Sequence, residues 1–147
     1  KELSYNFDNV KENKLGKTSG QIVGGNLTLL HCLIGSKSSI NTDNKILFIE
    51  DLGEYHYHID RMLVSLKRAG YFDNCKGLIV GDFTDLRKNT TPFGKSLKEI
   101  ILDAVKEFDF PVLFDFPAGH EKINMPIILG RDITMDINSS KSSINFL

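Results

Sequence analysis

Two side chains far apart in the sequence have the types needed for proton transfer. Glu50 closes the apolar run Ile46-Leu-Phe-Ile49, and His120 closes the segment Phe116-Pro-Ala-Gly-His120. A buried carboxylate at a strand end can orient an imidazole, and the oriented imidazole can deprotonate a hydroxyl nucleophile, so the pair reads as half of a catalytic triad. The nucleophile itself has no candidate. No serine sits in a Gly-x-Ser-x-Gly or comparable strand-to-helix elbow; the serines fall in polar turns such as Gly35-Ser-Lys-Ser-Ser39 and Asn138-Ser-Ser-Lys-Ser-Ser143. The chain therefore reads as part of an enzyme.

Other polar groups have simpler readings. In Tyr55-His56-Tyr57-His58 the alternating imidazoles lack a nearby third ligand, which favours an aromatic cluster at a solvent or substrate rim over zinc, and no metal or cofactor is expected. His31 lies in an apolar helical stretch and reads as a satisfied or rim histidine. Asp51 reads as structural, and Asp60 with Arg61 reads as a helix N-terminal charge beside a salt-bridging base. Gly24-Gly25-Asn26 could cradle an anion at a helix start, but it lacks the P-loop lysine and dinucleotide-loop spacing, so close packing of strand on helix is preferred, with Asn26 left as a substrate contact. Cys32 and Cys75 show no CxxC spacing and are expected to be buried free thiols.

The elements that must position these groups alternate. Gln21-Ile-Val23 reads as a strand, Gly24-Gly25 as a tight turn, and Asn26 as the cap of a helix with Leu27, Leu30, Cys32, Leu33 and Ile34 on its apolar face, stopped by Gly35. Ile46–Ile49 is a buried strand, followed by a helix marked by Ile59, Met62, Leu63 and Leu66 and ended before Gly70. Leu78-Ile-Val80 repeats the pattern, with a loop through Pro92 and a helix from Leu97 to Phe108 whose apolar stripe is ordinary core. Pro111–Phe114 adds a strand, and short runs at 126–129, 133–135 and 144–146 suggest an antiparallel ribbon. The expected class is α/β, a mainly parallel central sheet with a small antiparallel ribbon. In such sheets functional groups gather beyond the carboxyl ends of strands, where Glu50, Gly81-Asp-Phe-Thr84 and the segment before His120 all fall.

Composition bounds the partners. At 147 residues the chain is about one domain, and 41% hydrophobic residues suffice for a core. A formal net charge of −1 gives no pull toward nucleic acid or an anionic membrane, and no apolar run reaches the ~18 residues of a spanning helix. The polar opening stretch, residues 1–20, reads as an interdomain linker or entry segment, and 21–147 as the domain proper. The start, Lys1-Glu-Leu-Ser-Tyr-Asn-Phe7, looks like the interior of a longer protein.

Taken together, these residues closely resemble the serine carboxypeptidases of the murein LD-carboxypeptidase and microcin-immunity type. The shared landmarks run in order through Gly24-Gly-Asn-Leu27, Gly35, Lys45-Ile-Leu-Phe-Ile-Glu50-Asp51, Glu54, Ile59-Asp-Arg-Met-Leu63, Ala69-Gly70, Gly77-Leu-Ile-Val-Gly-Asp-Phe83, Pro111-Val112, Gly119-His120 and Pro126-Ile-Ile-Leu-Gly130. The resemblance implies the C-terminal, swivelling β/β/α domain of a two-domain enzyme, with the nucleophilic serine on an absent N-terminal domain. It implies Glu50 and His120 as the glutamate and histidine of a Ser-Glu-His triad. It also implies that Glu54 faces the amino end of the substrate's diamino side chain, where immunity-type members tend to carry a base. Ala118 stands where the family often has a large apolar side chain, so the wall beside the histidine is expected to be roomier. The implied activity is release of a terminal D-amino acid from murein peptides in the cytoplasm, with this half inactive alone. Alternatives are a peptidase acting on a peptide-nucleotide antibiotic and a non-catalytic binding or assembly domain. The face meeting the absent half is expected to be an apolar patch that drives homodimerisation.

Overall fold

Strand β3 (Ile46–Leu52) is buried continuously from Ile46 to Asp51 because both of its faces are covered. Alternation within the run sorts its side chains. Leu47 and Ile49 face a core shared with the helices, while Ile46 and Phe48 face a second core formed with the antiparallel strands. The computed structural model describes residues 3–147 and contains one seven-stranded sheet in the order β1-β7-β6-β2-β3-β4-β5.

The sheet has two halves that share one long strand. β2 (Gly16–Asn26) pairs antiparallel with β6 (Asp132–Ile137) through Gly16–Gln21 and then parallel with β3 through Ile22–Asn26. Beyond β3, β4 (Gly77–Thr84) and the short β5 (Val112–Leu113) complete the parallel half. On the other side, β6 pairs with β7 (Lys141–Phe146), and β7 with β1 (Ser4–Asp8). The antiparallel half brings Met135, Ile144 and Phe146 onto Ile46, Phe48, Ile79 and Phe116. Helices α1 (Leu27–Cys32), α2 (His56–Arg68) and α3 (Leu97–Val105) belong to the opposite face, where Ile59, Leu63, Leu66, Ile101 and Val105 are buried. The result is a β/β/α layering, with the α/β class and mainly parallel central strands expected of the sequence. Among the described residues no helix is long and apolar enough to cross a membrane.

Several local expectations are corrected. Residues 4–8 and 16–20, in the stretch read as an entry segment, are woven into the sheet, and their polar alternation reflects strands with one wet face; Lys1 and Glu2 lie outside the described residues. Gly24-Gly25 is not a tight turn but the end of β2, paired with Phe48 and Ile49. The α1 helix stops at Cys32, so Leu33 and Ile34 lie past it, and Cys32 is exposed; Cys75 is half-buried. The third helix ends at Val105 instead of Phe108. Residues 126–129 form no strand, and the antiparallel pairing comes from β6 and β7 with β1. Helix α2 begins at His56, which puts Asp60 past the first turn, and Arg61 stacks over the Tyr57 ring at 5.1 Å and pairs with no carboxylate among the described residues.

Gly24 explains why β2 can lie so close to β3. A Cβ there would stand 2.0 Å from the Phe48 carbonyl oxygen, whereas one at Gly25 would meet nothing within 4 Å; both have positive φ, +130° and +146°. Gly24→Ala is expected to lower the urea unfolding free energy by about 2 kcal/mol or more beyond the loss from Gly25→Ala, since only the first adds a backbone clash to the shared φ strain. Equal losses would show that contact with β3 does not set the requirement.

Candidate active site

Glu50 and His120 meet. Glu50 Oε2 and His120 Nδ1 are 2.7 Å apart, with the carboxylate side chain 9% exposed and the imidazole 44% exposed. With Nδ1–H donating to the carboxylate, the lone pair of the ring sits on Nε2. That is the arrangement of an oriented general base, buried on its structural side and open on its chemical side.

Each partner is placed by backbone hydrogen bonding at the carboxyl ends of the parallel strands. The β3–β4 register shifts between Ile49 and Asp51, so Glu50 sits at an irregularity of the kind that re-aims a strand-end side chain. The histidine arrives on the chain leaving β5, which is tied to β4. Phe116 N–H donates to the Val80 carbonyl (3.0 Å), and Asp82 N–H to the Ala118 carbonyl (2.9 Å). Gly81 permits this approach, because a Cβ there would lie 2.3 Å from the Ala118 carbonyl oxygen. Asn124 then clamps the turn from its other side, accepting from Gly119 N–H (3.3 Å) and donating to the Gly119 carbonyl (3.1 Å). The three segments that the strand logic put at one edge therefore do converge. Phe48, Glu50, Ala118, Gly119 and Asn124 line a shallow cleft of about 370 Å³.

A second polar cluster lies beside the first. Asp51, 2% exposed, accepts from Asn26 Nδ2 (2.9 Å), Thr28 N–H (2.9 Å), Thr28 Oγ1–H (2.8 Å) and its neighbour's Leu52 N–H (2.9 Å). Asn26 in turn accepts from Leu29 N–H and so caps α1. Asn26, expected as a substrate contact, is thus already bound on both sides. Glu54, expected to face a cationic group, has Oε2 at 2.9 Å from His58 Nδ1 and a longer 3.4 Å contact from Thr28 Oγ1 to Oε1. Asp51 carries the structural work assigned to it.

Sequence reasoning missed Asn124, Thr28 and the Glu54–His58 pair. Asn124 follows Gly119 by five residues inside a polar loop, with no periodic signal. The spacing Glu54-x-x-x-His58 was visible, but it reads as a pair only once residue 58 is known to be helical. Asp82 was placed at this edge with its segment but given no role of its own. Its Oδ2 is shut from solvent without a hydrogen-bond partner, and burial, with the charge of Glu121 next, raises its carboxyl above the ordinary range.

Comparison with known proteins identifies the family of the chain. The profile of the LD-carboxypeptidase C-terminal domain matches residues 19–135. The "probable murein peptide carboxypeptidase" of Bacillus subtilis is 36% identical over 121 residues, covering 82% of this chain and 38% of that protein. The microcin C7 self-immunity protein of Escherichia coli is 29% identical over 135 residues, covering 88% and 37%. Among solved structures, a muramoyltetrapeptide carboxypeptidase from Oxalobacter formigenes superposes with a TM-score of 0.89 at 25% identity, covering 99% of this chain and 50% of that one. The chain thus spans about two fifths of the length of the curated relatives it matches.

The raised Asp82 carboxyl has a consequence for stability. A carboxyl whose folded pKa lies above its unfolded one stabilises the fold fully at acid pH and loses that contribution as pH rises from the unfolded value through the folded one. Relative to Asp82→Asn, the native protein should therefore lose stability as pH climbs from the ordinary carboxylate range. Urea midpoints measured across that range check this, and a constant difference at all pH values would contradict it.

Proposed function

The chain belongs to the LD-carboxypeptidase C-terminal domain family, and we propose that it supplies the glutamate and histidine of a Ser-Glu-His triad in an enzyme that releases a terminal D-amino acid from murein peptides. The 2.7 Å bond between buried Glu50 and half-exposed His120 carries this reading. In it, a serine on a preceding domain, outside this chain, attacks the carbonyl of an L,D-peptide bond. His120 Nε2 takes the hydroxyl proton as the Oγ–C bond forms, and Glu50 stabilises the resulting imidazolium without taking the proton itself. Collapse of the tetrahedral intermediate breaks the C–N bond, and the same proton passes from Nε2 to the leaving amine of the D-amino acid. Water, deprotonated by the neutral His120, then hydrolyses the acyl-serine and restores the hydroxyl.

Glu54 supports a murein peptide over a peptide-nucleotide antibiotic, because a carboxylate at that position suits the ammonium of a diamino side chain. The reading places the enzyme in the cytoplasm and its activity in the joined domains, not in this half alone. Exposed Ile123, Ile128 and Leu129, on the loop that follows His120, give the domain an apolar surface suited to meeting its other half or pairing as a homodimer.

Joined to its native upstream region, the protein is expected to release D-alanine from a murein tetrapeptide. His120→Ala and Glu50→Ala should each lower kcat/KM by roughly a thousandfold or more. No release by a folded two-domain protein, or full activity in His120→Ala, would overturn the proposal.

A further inference from the structure

Two carboxylates flank the segment that carries His120, and the proton-transfer reading uses one of them. The β3–β4 register pairs Ile49 with Val80 and Asp51 with Phe83, so Glu50 stands opposite two residues of β4, Gly81 and Asp82. Glu50 reaches the imidazole at Nδ1. Asp82 reaches the same segment through the backbone. Its N–H donates to the Ala118 carbonyl at 2.9 Å, and a Cβ at Gly119 would stand 2.9 Å from the Asp82 Cβ, so the aspartate packs directly on the residue before His120. Asp82 Oδ2 is shut from solvent with no hydrogen-bond partner. A carboxylate placed so, with little water to screen it, acts strongly on any charge that appears beside it.

The charge that appears in the reaction is the imidazolium. The other charged groups around Asp82 are acidic, already paired or exposed. Asp115 and Glu121 come from the chain leaving β5, Glu50 of β3 is bonded to His120, Lys98 of α3 is held by Asp115 at 2.6 Å and Glu12 at 3.6 Å, and Lys122 is exposed. Burial first and the Glu121 charge next hold the Asp82 carboxyl above its ordinary range, while the charge of His120 draws it down. That attraction is mutual, because a carboxylate favoured by an imidazolium favours the imidazolium in turn.

We propose that Asp82 is a positioning residue for the reaction, a second carboxylate behind the imidazole that stabilises its protonated form and so sets the pH at which His120 becomes available as a base. It acts through His120 and touches no reacting atom. Glu50 fixes the orientation of the ring, and Asp82 sets how firmly that ring holds a proton. The inference rests on the reading of His120 as the general base.

The test is the pH profile of kcat/KM for D-alanine release by the full-length protein and by its Asp82→Asn variant. Removing the charge should move the acid limb toward acid by about half a pH unit or more and lower the plateau about twofold, because the ring sheds its proton more readily and accepts the serine's less well. Asp82→Ser, smaller and also uncharged, should move the limb the same way and takes the place of the amide if that variant fails to fold. An acid limb that stays in place, even under a lower plateau, would make Asp82 a support of the turn alone and overturn the proposal, as would a shift toward alkaline pH. The His120 imidazole is followed separately by NMR in histidine-labelled full-length protein, with its resonance identified by its loss in His120→Ala, and its titration midpoint should move with the limb. A moved midpoint without D-alanine release keeps this role of Asp82 and removes the peptidase reading. Release with an unmoved midpoint keeps the peptidase and removes the role.

Discussion

A carboxylate taken out of water must be paired, and the pairing of Glu50 with His120 is the constraint around which this domain is arranged. Glu50 is at the end of a strand covered on both faces, so its partner has to come from another strand's exit. That requirement explains the bonds from Val80 and Asp82 to the chain leaving β5, the absence of a side chain at residue 81, and the Asn124 clamp on Gly119. Each of them fixes the segment that carries His120. The imidazole is half-exposed while the carboxylate that orients it is buried, an arrangement suited to a pre-organised base.

The same edge carries a second carboxylate with a second imidazole, and the two pairs differ in what supports them. The Glu50 carboxylate is held by one hydrogen bond to a residue 70 positions away, His120. Glu54 is fixed locally, by His58 one helical turn on and by Thr28, which Asp51 holds in turn. Asp51 thus separates the pairs: neighbouring residues 50 and 51 point their carboxylates to different clusters, and the register shift at this point of β3 makes that possible. The first pair depends on long-range packing and the second on the start of α2.

Much of this was legible in the sequence, and the reasons are specific. Ile46–Ile49 and Leu78–Val80 are short apolar runs that only a doubly covered strand explains, and Ile59, Met62, Leu63 and Leu66 mark one face of a helix; all three were placed correctly. The convergence of Glu50, the Gly81–Thr84 segment and His120 follows from the rule for parallel sheets. What could not be read was set by contacts between distant segments. Gly24-Gly25 has the composition of a turn, and only the Phe48 carbonyl lying against it explains why it is strand. Residues 4–8 are too polar to announce a strand and become one through β7. Cys32 looked buried because the apolar pattern continues past it, but α1 ends there and turns the thiol outward. Arg61 looked like an ion-pairing base, and its stacking on Tyr57 depends on where α2 begins.

The central claim is that His120 activates a serine that this chain does not contain. Covalent labelling of the full-length protein with a serine-directed fluorophosphonate, with the modified residue mapped by peptide mass spectrometry, tests it most directly. The account predicts a single fast-labelled serine lying outside these 147 residues, and loss of that label in His120→Ala. Labelling of a serine within the chain, or labelling at the same rate without His120, would contradict it.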